Sequence, residues 1–218
     1  MMAQGKVGVI GSGLVAQTLG GGFARKGWDV LVGSREPEKL APWKAKTGGS
    51  VRLGSFAEAA RFGELAVLAV KGTAAEAAVR LAGPENLSGK LVLDACNPIA
   101  DAAPEGGVLR YFTGPNESLM ERLQALAPGA RFVKAFSCVG IAFMVDPSFP
   151  GGKPTMFLCG DDASARAQAA GIVESFGWEV ADMGAAAAAR AIEPLAMLWC
   201  IPGLRENRWD HAFKLLRA

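Results

Sequence analysis

Apolar residues fall along this chain in short unbroken runs separated by longer stretches of helical period. "KVGVI" (6–10) reads as a first strand, and Leu14 to Lys26 as a helix. "DVLVG", "GSVRLG", "LAVLAV", "KLVLDA" and "RFVKAF" then predict strands two to six, with helical segments between them. Strands that are apolar on consecutive positions are buried on both faces, as happens in a parallel sheet covered by helices. "TMFLCG" (155–160) and "WEVADM" (178–183) predict two further strands around the helix "DASARAQAAGIVESF", and from Ala185 the tail reads as helical, interrupted near Pro202 and Gly203. The expected fold class is α/β: a Rossmann-type doubly wound parallel sheet extended by C-terminal strands and helices. The Pro- and Gly-rich stretch "DPSFPGGKP" (146–154) is the best candidate boundary. It divides a nucleotide-binding region, 1–150, from a small α/β extension, 151–218, unless the two form one continuous domain.

The first strand-to-helix turn carries the most specific chemistry. Gly11-Ser12-Gly13-Leu14-Val15-Ala16 matches G-x-G-x-x-G/A. Gly11 can take a tight turn, Gly13 leaves room for a pyrophosphate, and Ala16 lets helix and strand approach closely. The helix N-terminus then offers free N–H groups to an anion. In an NAD-binding fold an acid follows the second strand and holds the ribose hydroxyls. Here that place reads Gly33-Ser34-Arg35, with Lys39 close behind. Loss of the carboxylate and gain of cations suit the extra phosphate of NADP(H), which Arg35 can grip with two parallel hydrogen bonds. The other reading is a solvated loop in which Arg35 and Lys39 pair with Glu36 and Glu38.

The reacting end should lie past the carboxyl ends of the later strands. Lys71, Asn97, Pro98 and Ser137-Cys138-Val139 stand there. Asn97 is read either as a hydrogen-bonding partner of the nicotinamide or as a turn residue before proline. Lys71 is read as a catalytic amine if desolvated, otherwise as a rim charge. His211, the one histidine, sits in the helical pattern "WDHAFKLL", and Arg190 and Glu193 stand three apart on a predicted helix, where they should pair. Met144, Met197, Trp199 and Trp209 are read as packing rather than as an aromatic pocket. No acid–base pair emerges, and the catalytic residues stay unassigned. Hydride transfer between two ring systems needs stacking and orientation more than proton transfer.

Composition narrows the class. The 218 residues carry 23 basic and 21 acidic side chains, without the basic excess of a nucleic-acid binder. Cys96, Cys138, Cys159 and Cys200 are widely spaced, so neither a zinc site nor a disulfide framework is expected. The N-terminus lacks a signal-peptide pattern and the most apolar stretch is broken by charges and prolines, so a cytoplasmic protein without membrane portion is expected.

The motifs "VIGSGLVA", "VGSREPEK", "VKAFSCVGIAFM", "FLCGDD" and "ARAIEPLAMLW" resemble the coenzyme F420-dependent NADP oxidoreductase family. The reductase domain of membrane ferric reductases is also similar. The family resemblance implies phosphate contacts at Ser12, Ser34, Arg35 and Lys39, a deazaflavin or flavin acceptor near strands five and six and the C-terminal segment, and a homodimer. Where the family often carries asparagine this chain has Ser137. The alternatives are an NADPH-dependent reductase of a small carbonyl or imine, and a non-catalytic NADP(H) sensor.

Overall fold

The computed structural model describes residues 4–47 and 51–217. β1 (Lys6–Ile10) leads into α1 (Leu14–Arg25) and β2 (Asp29–Gly33). A 3-10 turn at Pro37–Leu40 and α2 (Ala41–Thr47) precede β3 (Val51–Gly54), α3 (Phe56–Phe62) and β4 (Leu65–Leu68). The chain continues through α4 (Gly72–Ala82), α5 (Pro84–Leu87) and β5 (Leu91–Asp94) to α6 (Leu119–Leu126) and β6 (Arg131–Lys134). The last elements are β7 (Thr155–Leu158), α7 (Ala163–Ser175), β8 (Glu179–Asp182) and α8 (Ala189–Glu206). Gly49 and Ser50 of the predicted third strand lie outside the described residues.

Six strands form one parallel sheet in the order β3-β2-β1-β4-β5-β6, the doubly wound arrangement expected. Every residue of β4 and β5 is buried, because helices cover both faces. β7 and β8 form a separate parallel pair, joined to β6 by an antiparallel bridge between Lys134 and Cys159. An apolar cluster runs unbroken from Val7, Val9 and Phe23 to Met156, Val173 and Phe176. Gly20 and Gly22 of α1 explain its close approach to these parts. A Cβ on Gly20 would press Val32 at 3.2 Å, and one on Gly22 would meet Val145 at 2.7 Å and Phe176 at 3.0 Å. Packing that needs their small size outweighs their helix penalty of about 1 kcal/mol each.

The tail departs from its sequence pattern in two ways. α8 is not interrupted at Pro202 and Gly203. It runs through Pro194 and Pro202 to Glu206 and stops at Asn207, whose φ of 56° is left-handed. Each proline removes one helical N–H, and Tyr111 contributes a hydrogen bond from outside, its hydroxyl donating to the Glu193 carbonyl at 2.8 Å. Residues 207–217 hold no helix, so His211 is not on one. Instead the Thr155 N–H donates to the Phe213 carbonyl at 2.9 Å, and the Leu215 N–H to Thr155 Oγ1 at 3.0 Å. The open edge of β7 supplies backbone partners that override a local helical period.

Candidate functional site

The turn from β1 to α1 is built around two glycines with different duties. Gly11 has φ +142°, and a Cβ there would collide with the Ala69 carbonyl at the end of β4. Gly13 caps α1 in extended conformation, and a Cβ there would meet nothing within 4 Å. No side chain caps α1 and no acid stands in its first turn. Its leading N–H groups therefore face a space that a side chain would otherwise fill.

That space is a cleft of about 470 Å³. It brings together Ser12, Gly13, Leu14, Val15, Arg35 and Lys71 of the residues expected from sequence. One wall is the small-residue face of α4 (Ala74, Ala78, Leu81), and Phe56 and Ala95 contribute elsewhere. Leu14 and Leu81, 64% and 56% exposed, border the cleft. The α4 stripe was readable as ordinary core, since positions 74, 78 and 81 have the spacing of any amphipathic helix. What sets it apart is the cleft it borders, which is not a sequence property.

The cations behind β2 are disposed unequally. Arg35 is exposed on the cleft and makes no ion pair among the described residues. Ser34 is buried, and its Oγ accepts the Glu36 N–H at 3.0 Å, which leaves its own proton to donate. Lys39 Nζ lies 2.6 Å from Glu36 in an exposed pair. That contact holds the Glu36 carboxyl below its usual range and the Lys39 ammonium above its own. Lys71 is also exposed and pairs with Asp101, so it is a rim charge rather than a desolvated amine.

Neither Asn97 nor Ser137 lines the cleft; past the carboxyl ends of β5 and β6, Asn97 Nδ2 donates to the Ser137 carbonyl at 2.7 Å and joins the two segments. Asn97 Oδ1 and Ser137 Oγ are buried without a hydrogen-bond partner among the described residues. Pro98 is buried beneath, and the Asn97 carbonyl lies so close to Gly72 that a Cβ there would collide with it. Phe136, next to Ser137, holds a left-handed φ of 58°, a sparsely populated conformation for an aromatic residue. Burial pushes the Cys138 and Cys159 thiols up to about 12 and raises Cys96 as well. They stay protonated and behave as small apolar groups. Trp199 and His211 stack at 5.0 Å with Trp209 alongside, which is packing, as expected.

The expected Arg190–Glu193 pair does not form. Arg190 reaches Glu121 at 2.6 Å, while Glu193 points inward to Lys134 at 2.8 Å. Lys134 also lies 2.6 Å from Asp94, and all three side chains are at most 1% exposed. Burial alone would lower the Lys134 pKa, but the two carboxylates outweigh it and hold it above the lysine range. This cluster was missed. Its signal was present, a lysine and an aspartate inside strands otherwise buried, since such charges require partners.

Known proteins share this architecture. The family model described as NADP oxidoreductase, coenzyme F420-dependent, matches residues 6–98. The crystal structure of a candidate F420-dependent NADP-reductase from Arthrobacter sp. FB24 is 32% identical and covers 98% of this chain and 100% of its own, with a TM-score of 0.90. Metalloreductase STEAP3 of Rattus norvegicus is 30% identical over 203 residues, 91% of this chain, and the chain spans 38% of that relative's length. A reductive aminase from Aspergillus terreus, solved with NADPH and ethyl levulinate, shares the fold at 20% identity and a TM-score of 0.64, over 92% of this chain and 62% of its own. No described helix is long and apolar enough to cross a membrane. Matched along its nucleotide-binding half by the family model and from end to end by the Arthrobacter structure, the chain belongs to the coenzyme F420-dependent NADP oxidoreductases.

Proposed function

We propose that this protein transfers hydride between NADPH, held along the α1–α4 cleft, and a deazaflavin of the F420 type or a flavin. The observation that carries the reading is the uncapped α1 terminus beside an unpaired Arg35. The residues fit a phosphorylated dinucleotide. The space over Gly13 admits a pyrophosphate, and the Leu14 and Val15 N–H groups are placed to donate to it. Arg35 and the Ser34 hydroxyl would hold the 2′-phosphate, with Lys39 joining by exchanging Glu36 for phosphate. When bound, NADPH supplies the hydride.

Asn97 and Ser137 would orient the reacting rings, since one offers a buried acceptor and the other a buried hydroxyl. Residues 151–218 would complete the acceptor side, and the homodimer implied by the family belongs to the same proposal. A carbonyl or imine substrate would call for a proton donor, and the amine and phenol expected to serve are engaged. Lys71 pairs with Asp101, and the Tyr111 hydroxyl donates to Glu193 and is held above its usual pKa by burial. A conjugated ring that keeps the added electron pair as an anion needs no such donor.

The test is to mix the protein with NADPH and, separately, F420, FMN and a cyclic imine, following loss of the reduced-nicotinamide absorbance. Turnover with F420 or FMN is expected. Turnover with the imine alone would replace the reading, and tight NADPH binding without any turnover would make the protein a sensor.

A further inference from the structure

Buried charge holds the backbone on both sides of Cys96. Asp94 Oδ1 accepts the Cys96 N–H at 2.9 Å, and the Lys134 ammonium donates to the Cys96 carbonyl at 2.8 Å. Asp94 Oδ2 and Glu193 Oε1 lie within ion-pair distance of the same ammonium, at 2.6 and 2.8 Å. Glu193 in turn accepts the Leu119 and Met120 N–H groups at 2.9 and 3.0 Å, at the start of α6.

Stability alone is a poor reason for such a cluster. Buried ions lose their hydration, and well-packed apolar side chains often serve as well. Two carboxylates against one ammonium also leave a negative charge, offset only in part by the N–H groups of α6. What apolar residues could not supply is direction, here two hydrogen bonds to the backbone of one residue. That residue immediately precedes Asn97. A carbonyl can only accept, so the Asn97 amide nitrogen must face the Ser137 carbonyl. Its Oδ1 is thereby fixed in place without a partner among the described residues.

We propose that Lys134, with Asp94 and Glu193, is a positioning residue that aims Asn97 Oδ1 at the nicotinamide end of the coenzyme. The inference rests on the NADP reading above. It requires that loss of the cluster weaken contacts at the nicotinamide end and spare those at the phosphate end.

Isothermal titration of the full chain with two probes tests it. One is NADP+, and the other is adenosine 2′,5′-bisphosphate, which has the phosphate end and no nicotinamide. The variant combines Lys134→Met, Asp94→Asn and Glu193→Gln. It is neutral, keeps a side-chain oxygen for the Cys96 N–H and for one of the two α6 N–H groups, and removes the bond to the Cys96 carbonyl. NADP+ should bind about 5- to 20-fold more weakly, the scale of one lost buried hydrogen bond, with the bisphosphate changed less than about 2-fold. Asn97→Ala should give the same selective loss, and adding it to the triple variant should cost nothing more, because both act through one atom.

A merely structural role would weaken both probes together or neither, and losses that add would show independent action. Either result overturns the proposal. If the triple variant does not fold, Lys134→Arg takes its place, since it keeps the charge and replaces the directions of the ammonium with those of a larger guanidinium. The same selective loss is expected, and its absence counts against the proposal. Wild-type protein that fails to bind the bisphosphate would sink the NADP reading itself, whereas binding with an unmoved ratio sinks only the positioning role.

Discussion

Lys39 and Lys134 are the same side chain in opposite surroundings. Lys39 is 70% exposed and pairs directly with one carboxylate at the surface, while Lys134 is fully buried between two. Water and salt screen the first pair, so a phosphate of higher charge can displace Glu36 with little loss. The second pair has no water to fall back on, so neither partner can be exchanged. On the proposed reading, one region would release its charges to a ligand, and the other would hold its charges so that backbone stays in place.

The largest expected effect breaks the buried side. Lys134→Met alone strands two carboxylates and should cost ~3–5 kcal/mol, the range for splitting a buried ion pair. In a chain of this size that lowers the melting midpoint by roughly 6–20 °C, and the neutral triple variant should recover part of it. Calorimetry that finds Lys134→Met as stable as wild type would erase the contrast. Its pH dependence has a definite sign. The folded pKa is raised, so the stabilisation is present below the unfolded lysine value of about 10.4 and is lost only as pH climbs through the higher folded value. The stability difference between wild type and the triple variant should stay flat between about pH 7 and about pH 9.

Next in size is the exposed side. Arg35→Ala should weaken NADPH roughly 10- to 100-fold and NADH less than about 3-fold, since only the former carries the 2′-phosphate. Equal losses in titration would remove Arg35 from that role. Gly13→Ala should leave the melting curve in place yet weaken both coenzymes by about 10-fold, because its methyl group enters the space for the pyrophosphate. Gly11→Ala should instead lower the melting point, as its methyl meets the Ala69 carbonyl. The smallest change belongs to Lys39→Ala, with no measurable shift in melting and a loss of about 2- to 3-fold in NADPH affinity that fades at high salt.

The strands and the first turn were legible because their signals are local. β4 and β5 must be apolar at every position to lie between two layers of helix, and Gly11 and Gly13 answer to the geometry of one turn. The partners of Arg190 and Glu193 were not legible. Helical spacing places the two side by side, yet each finds a better partner on α6 or β6, distant in the chain. The helical period of "WDHAFKLL" likewise gave way to the edge of β7.

From its sequence alone this protein had a doubly wound sheet, a glycine-rich first turn and cations after the second strand. Each depends on residues that are neighbours in the chain, where burial period and backbone sterics act directly. Which lysine would be free and which locked, where the tail would lie, and how Asn97 would be held depended on groups brought together from distant segments. Desolvation and hydrogen bonding settle such matters only once the chain has folded, because no local pattern encodes which charge will find which partner.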